Sequence, residues 1–131
     1  MNYSTDNQQF RIVIWIEHND HCLVTTNKDG DKHLLEVQPE FAETTLEAIE
    51  RYGKDILDLS FETIEYVDIV EQTTHQHFEQ TETLFLYRAV ISEQEVLPKL
   101  TQSQIIFWLP IEKVRQNVSI NFLSKFTKVK K

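Results

Sequence analysis

Glycine is nearly missing from this chain: two in 131 residues, Gly30 and Gly53. That scarcity leaves no room for a glycine-rich loop of the kind that lets backbone approach a phosphate closely. A single cysteine, Cys22, excludes an intramolecular disulfide and makes the cytoplasm the expected location. No apolar run approaches the roughly 20 residues needed to cross a bilayer, so no membrane association is expected. Met1–Gln9 is polar and has no apolar stretch of leader type. Internal repeats, low-complexity tracts and Pro- or Ser-rich linkers are also missing. Cations are outnumbered, 13 Lys and Arg against 21 Asp and Glu, for a net charge of −8. A field of that sign repels phosphate backbone and argues against extended nucleic-acid contact. The one basic segment is Lys125, Lys128, Lys130 and Lys131, read as a solvated tail.

What is present belongs to a folded domain. Apolar residues make up 40% and aromatic residues 11%, enough for one core, and the length allows a single domain over 1–131. Its ends are a polar arm, 1–9, and the basic tail, 127–131. Phe10, Ile12, Ile14 and Ile16 alternate with Arg11, Val13, Trp15 and Glu17, the period of a strand buried on both faces. A turn at Glu17–Asp20 leads to a return strand at Cys22–Thr26. A second turn around Gly30 precedes a short strand, His33–Val37, stopped before Pro39. From Thr44 to about Leu57, Leu46, Ile49, Gly53, Ile56 and Leu57 fall on one helical stripe. Glu47 precedes Arg51 by four residues, and Glu50 precedes Lys54 likewise, the favoured orientation for surface ion pairs. Phe61–Val70, Glu82–Ile91 and Ile105–Leu109 read as strands, Pro110 as a helix start, and Ser119–Phe126 as a last short helix. The order predicts an α+β or mixed α/β domain.

Particular residues in this order resemble the Nudix hydrolase superfamily, whose box is written G-x5-E-x7-R-E-U-x-E-E-x-G-U, with U a bulky aliphatic residue. Glu43 and Arg51 enclose seven residues, Thr44 to Glu50, which matches E-x7-R. Thr44, Glu47 and Ala48 also stand where the family has Ser or Thr, Glu and Ala. Leu35-Glu36-Val37-Gln38-Pro39 resembles the strand leading to a Leu-Pro-Gly-Gly segment. Phe107-Trp108-Leu109-Pro110 resembles the late Trp-containing strand that runs into a Pro-started helix. The resemblance covers roughly residues 10 to 118 and implies a Nudix-like α/β/α sandwich with a mixed β-sheet. It also implies that Glu43 and Arg51 hold a loop–helix–loop shape.

The departures bear on function. The family's Glu after Arg is Tyr52, and its later paired Glu residues are Asp55 and Ile56. In the family these acidic positions share a helix face and hold divalent cations against a diphosphate. Hard cations need several oxygen ligands, so Asp55 alone is a poor site. The Gly-Gly after Pro39 is Glu40-Phe41, about four loop residues are missing, and the closing Gly is Asp58. The expectation is therefore a catalytically degenerate Nudix-fold protein that binds a small nucleotide-like ligand or a protein, with no cofactor and with a homodimer among its expected assemblies. The alternative is an active hydrolase of a nucleoside-diphosphate derivative. It would use Mg²⁺ or Mn²⁺ at Asp55 and Glu47, with help from Glu43 or the Glu79–Glu82 region. A third reading is an unrelated structural domain with a protein partner.

Other groupings carry less. His75 and His77 lie on one side of an extended segment, which suits a metal pair or an exposed loop. Cys22 and His21, as strand neighbours, face opposite ways and form no nucleophile–base pair. Phe41 and Phe78 fall in loops and are candidate ligand-stacking residues. Arg11 and Arg88 lie among apolar strand residues and are candidates to reach an anionic group or to form ion pairs.

Overall fold

The structure, a computed structural model, describes residues 8–26, 30–74, 80–91, 105–118 and 123–127. Its elements are β1 (Gln8–His18), β2 (His21–Thr26), β3 (Lys32–Val37), α1 (Thr45–Tyr52), β4 (Phe61–Thr74), β5 (Gln80–Ile91), β6 (Ile105–Pro110), α2 (Ile111–Asn117) and α3 (Leu123–Thr127). A π-helical turn, Gly53–Leu57, prolongs α1. The strands form one six-stranded sheet in the order β4-β5-β1-β3-β2-β6. Only β1 and β5 run parallel among the described pairings, so the sheet is mixed as expected.

Strand alternation sorts β1 into two cores. Ile12, Ile14 and Ile16 face α1, where they pack with Leu23, Leu35, Ala48, Ile49 and Leu57. Val13 and Trp15 face the other way, with Cys22, Val24, Leu86, Val114, Val118 and Phe126. Helices thus cover both faces, α1 on one and α2 with α3 on the other: the α/β/α sandwich. Trp15 stacks on Phe126 with ring centroids 5.6 Å apart, which seats α3. Cys22 is fully buried in the second core, and burial pushes its thiol pKa up, so it is inert packing rather than a nucleophile.

β1 and β2 are joined as a hairpin only near its turn, at Glu17↔Cys22 and His18↔His21. Beyond that point they splay, and β3 enters between them. It pairs with β1 through Leu35–Val37 and with β2 through Lys32–Leu34. Asn19 and Asp20 take the turn with positive φ, a conformation their short polar side chains tolerate.

The helical stripe read from the sequence is only partly buried. Ile49, Gly53 and Leu57 face the sheet, whereas Leu46 and Ile56 are each 47% exposed. For Ile56 the cause is the wide π turn beginning at Gly53, which changes the angular step along the helix; Leu46 stands in the first turn of α1, before it. Gly53 itself is required by packing: a Cβ there would lie 2.5 Å from the Phe61 ring. Phe61, at the start of β4, fills the volume that a side chain on the helix would take. The last helix is described over Leu123–Thr127; residues 119–122 of the expected Ser119–Phe126 helix, and the 75–79 segment with His75, His77, Phe78 and Glu79, lie outside the described residues.

This exchange of volume makes a double-mutant prediction. Gly53→Ile is expected to destabilise by roughly 1–3 kcal/mol through overpacking, and Phe61→Ala to destabilise by leaving a cavity. Combined, the two should cost less than their sum by at least about 0.5 kcal/mol, as touching residues do. Urea unfolding of the four proteins measures it, and strict additivity would refute the exchange.

Candidate functional site

The site is built where β3 leaves the sheet and α1 begins. Thr44 caps α1: its hydroxyl accepts from the Glu47 backbone N–H at 3.1 Å, while Glu47 Oε1 accepts from the Thr44 N–H at 3.0 Å. This reciprocal pair satisfies two helix-end donors. A turn precedes it, closed by the Glu43 N–H donating to the Glu40 carbonyl at 2.9 Å. Its third residue, Ala42, sits at φ 70°, a position that normally favours Gly. The strained turn throws Phe41 entirely into solvent, 100% exposed.

Arg51 fastens this turn to the helix. Its Nε donates to Glu43 Oε2 at 2.7 Å, and its Nη2 donates to Glu43 Oε1 at 3.0 Å. Nη2 also donates to the Gln38 carbonyl at 3.1 Å, and Glu43 Oε1 accepts from the Glu40 N–H at 2.8 Å. One guanidinium thereby holds the end of β3, the turn and α1 together, in the fork geometry that suits arginine. The hydrogen bond from Arg51, and next the Glu40 N–H, hold the Glu43 carboxyl below the usual carboxylate range. Asp58, at the position of the box's closing glycine, takes the left-handed conformation, φ 60°, and ends the π turn with its N–H on the Gly53 carbonyl.

Tyr52 comes next along the helix. It packs against the α1-side core, and burial, then the charge of Glu36, pushes its hydroxyl pKa up to about 12. The phenol is therefore a protonated donor at neutral pH. It lines a cleft of about 470 Å³ together with Arg11, Thr25, His33, Leu35 and Glu36. Arg11 is clamped there: Nη1 lies 2.6 Å from Glu36 and Nη2 2.9 Å from Glu82, which also accepts from Gln72 at 3.0 Å. Burial alone would lower the Arg11 pKa, but the two carboxylates outweigh it and raise it.

The acidic positions do not assemble a metal site. Tyr52 is turned to the core, Ile56 is apolar, and Glu43 and Glu47 are engaged by Arg51 and the helix cap. Asp55, on the π turn, adds to the negative charge around Arg51. Glu82 is held by Arg11 and Gln72. Among the described residues no group of three or more His, Cys, Asp or Glu side chains is placed to hold a metal ion. A divalent cation therefore does not fit the residues described.

Arg88 is set apart from this cleft. It extends from the face of β5 that α3 covers, where Nη2 meets Glu17 at 2.7 Å and Nη1 donates to the Phe126 carbonyl at 3.5 Å. Trp15 Nε1 donates to the same Glu17 carboxylate at 3.0 Å. Its place is an ion pair that ties α3 to the sheet, so it is not brought together with Phe41 or Tyr52. Thr25, His33, Leu35 and Glu36 line the cleft but were not singled out from the sequence as site residues. The one signal for Thr25 was a hydroxyl at a core-facing position, two residues after Leu23 on the same strand.

No family model matches this sequence, and no curated protein matches it. Solved structures do. The MutT protein of Bacillus halodurans superposes with a TM-score of 0.73 at 16% identity, covering 89% of this chain and 77% of its own. The MutT NUDIX hydrolase of Burkholderia pseudomallei gives 0.71 at 13% identity, with 94% and 98% covered. The NUDIX domain of NrtR from Shewanella oneidensis, solved in complex with ADP ribose, gives 0.68 at 15%, with 88% and 83% covered. The chain has the Nudix fold.

The Glu43–Arg51 contact predicts a pH dependence. A carboxylate whose folded pKa is depressed contributes stability above its unfolded value, about 4.3, and loses it as pH falls through the folded value. Wild type should therefore lose more of its urea midpoint between pH 5 and the acid limit than Glu43→Gln, which lacks the titrating group. Parallel midpoint-versus-pH curves for the two proteins would contradict this role.

Proposed function

We propose that this chain is a Nudix-fold binding module that has lost metal-dependent hydrolysis and takes a small nucleotide-like ligand in the cleft beside Tyr52. The observation that carries the reading is the fate of the three acidic positions. One is a half-buried phenol, one an exposed isoleucine, and the remaining aspartate belongs to no group of three or more His, Cys, Asp or Glu side chains that could hold a metal ion among the described residues. Hydrolysis of a diphosphate by this fold depends on cations that neutralise developing charge, and each missing carboxylate removes both charge and coordination.

The competing reading, an active hydrolase with metal at Asp55 and Glu47, requires carboxylates to be recruited from work they already do. Glu47 would have to leave the Thr44 cap, at a cost of about 1 kcal/mol, and Glu43 would have to leave Arg51. The cleft supports a binding role in its own right. At about 470 Å³ it lies within the range of small-molecule sites, and the NrtR domain of the same fold was solved holding ADP ribose.

Calorimetric titration with Mg²⁺ and Mn²⁺, followed by a screen of nucleoside-diphosphate derivatives, tests the proposal. The expected result is no saturable metal binding and no metal-dependent turnover. A nucleotide-type ligand should instead raise the melting temperature without metal, because a ligand of the native state stabilises it by mass action. Metal-dependent turnover abolished by Asp55→Ala would overturn the proposal.

A further inference from the structure

The cleft contains polar atoms whose hydrogen-bonding capacity the protein leaves unused. Thr25 is 6% exposed, and its hydroxyl finds no partner among the described residues. Arg11 Nε is likewise buried and unpartnered, although both terminal nitrogens of that side chain are engaged. A buried polar group without a partner costs roughly 1–3 kcal/mol, so two in one cleft mark a place where hydrogen bonds are to be completed from outside the chain. Tyr52, protonated, adds a third donor and a ring face.

The charges define what completes them. Among the described residues lining the cleft, Arg11 is the one permanent cation, and it is matched by both Glu36 and Glu82. A phosphate entering there would meet a neutralised guanidinium with a carboxylate, Glu36, in the wall, and no residues able to hold a bridging cation. An uncharged ring system meets none of these penalties. It needs an acceptor for Arg11 Nε–H, an edge group for the Thr25 hydroxyl, and a flat apolar face to lie against Tyr52.

Resting on the binding-module reading above, we infer that the cleft takes an unphosphorylated, nucleoside-type heterocycle, held by hydrogen bonds to Arg11, Thr25 and Tyr52 with no metal. Thr25→Val separates this role from a structural one. Valine has nearly the same shape and removes an unsatisfied hydroxyl, so the melting temperature of the free protein should hold or rise, while ligand affinity should fall about tenfold or more.

The test is calorimetry on the full chain in EDTA, with adenosine, guanosine, cytidine and uridine, each compared with its 5′-monophosphate and 5′-diphosphate. The expected result is that at least one nucleoside binds, that each added phosphate weakens it, and that Thr25→Val weakens it without loss of thermal stability. Tighter binding of the diphosphate than of its nucleoside, or unchanged affinity in Thr25→Val, would overturn the inference while leaving a binding module standing. No binding by any member of the series would defeat both.

Discussion

Arg51 lies across the carboxylate of Glu43 with two nitrogens on its two oxygens and reaches on to the Gln38 carbonyl. The geometry of the loop, the start of α1 and the exit of β3 all depend on that contact. It fixes where Thr44 can cap the helix, and therefore which residues of the first turn face the sheet. It also holds a turn with Ala42 in a left-handed conformation, a strain of roughly 1–2 kcal/mol for a residue with a side chain. In this arrangement both side chains are committed to maintaining a shape.

Around that scaffold the substitutions are coordinated rather than scattered. Gly53 empties a helix position, and Phe61 occupies the space from the neighbouring strand. The helix then widens into a π turn, and Asp58 closes it in a conformation that glycine would adopt more readily. Tyr52 takes a seat between core and cleft in which a carboxylate would be penalised by burial beside Glu36. Each of these residues agrees with its neighbours, so the helix is packed along its length.

Much of this was legible in the sequence, for identifiable reasons. Period-two alternation in β1, and the apolar runs of β5 and β6, set the strands. The E-x7-R spacing pointed to the Glu43–Arg51 pair through the family resemblance it carries, since Glu43 stands outside α1 and helical spacing alone does not bring it to Arg51. The π turn was not legible, since a stripe counted at 3.6 residues per turn carries no mark of a wider one. The cleft was equally hidden. It draws on residues from β1, β2, β3 and α1 that are far apart in the chain, and its polar atoms matter through what they fail to contact. Arg88 shows the reverse limit: an arginine among apolar strand residues suits a ligand or a salt bridge, and only its neighbours in the fold distinguish them.

The parallel pairing of β1 with β5 has a consequence for how the molecule is made. Trp15 stands opposite Arg88, and Ile14 opposite Tyr87, so the middle of the sheet is closed by partners more than seventy positions apart. Loop closure over such a distance must precede the contacts that reward it, which slows folding relative to local hairpins. During synthesis β1 emerges early, apolar on both faces, and waits for β5 with only β2 and β3 beside it. Its edge toward β5 is the open flank of the nascent chain, the place where pairing with another molecule competes with folding. For this fold, the strand that organises the finished structure is also the one most exposed on the way to it.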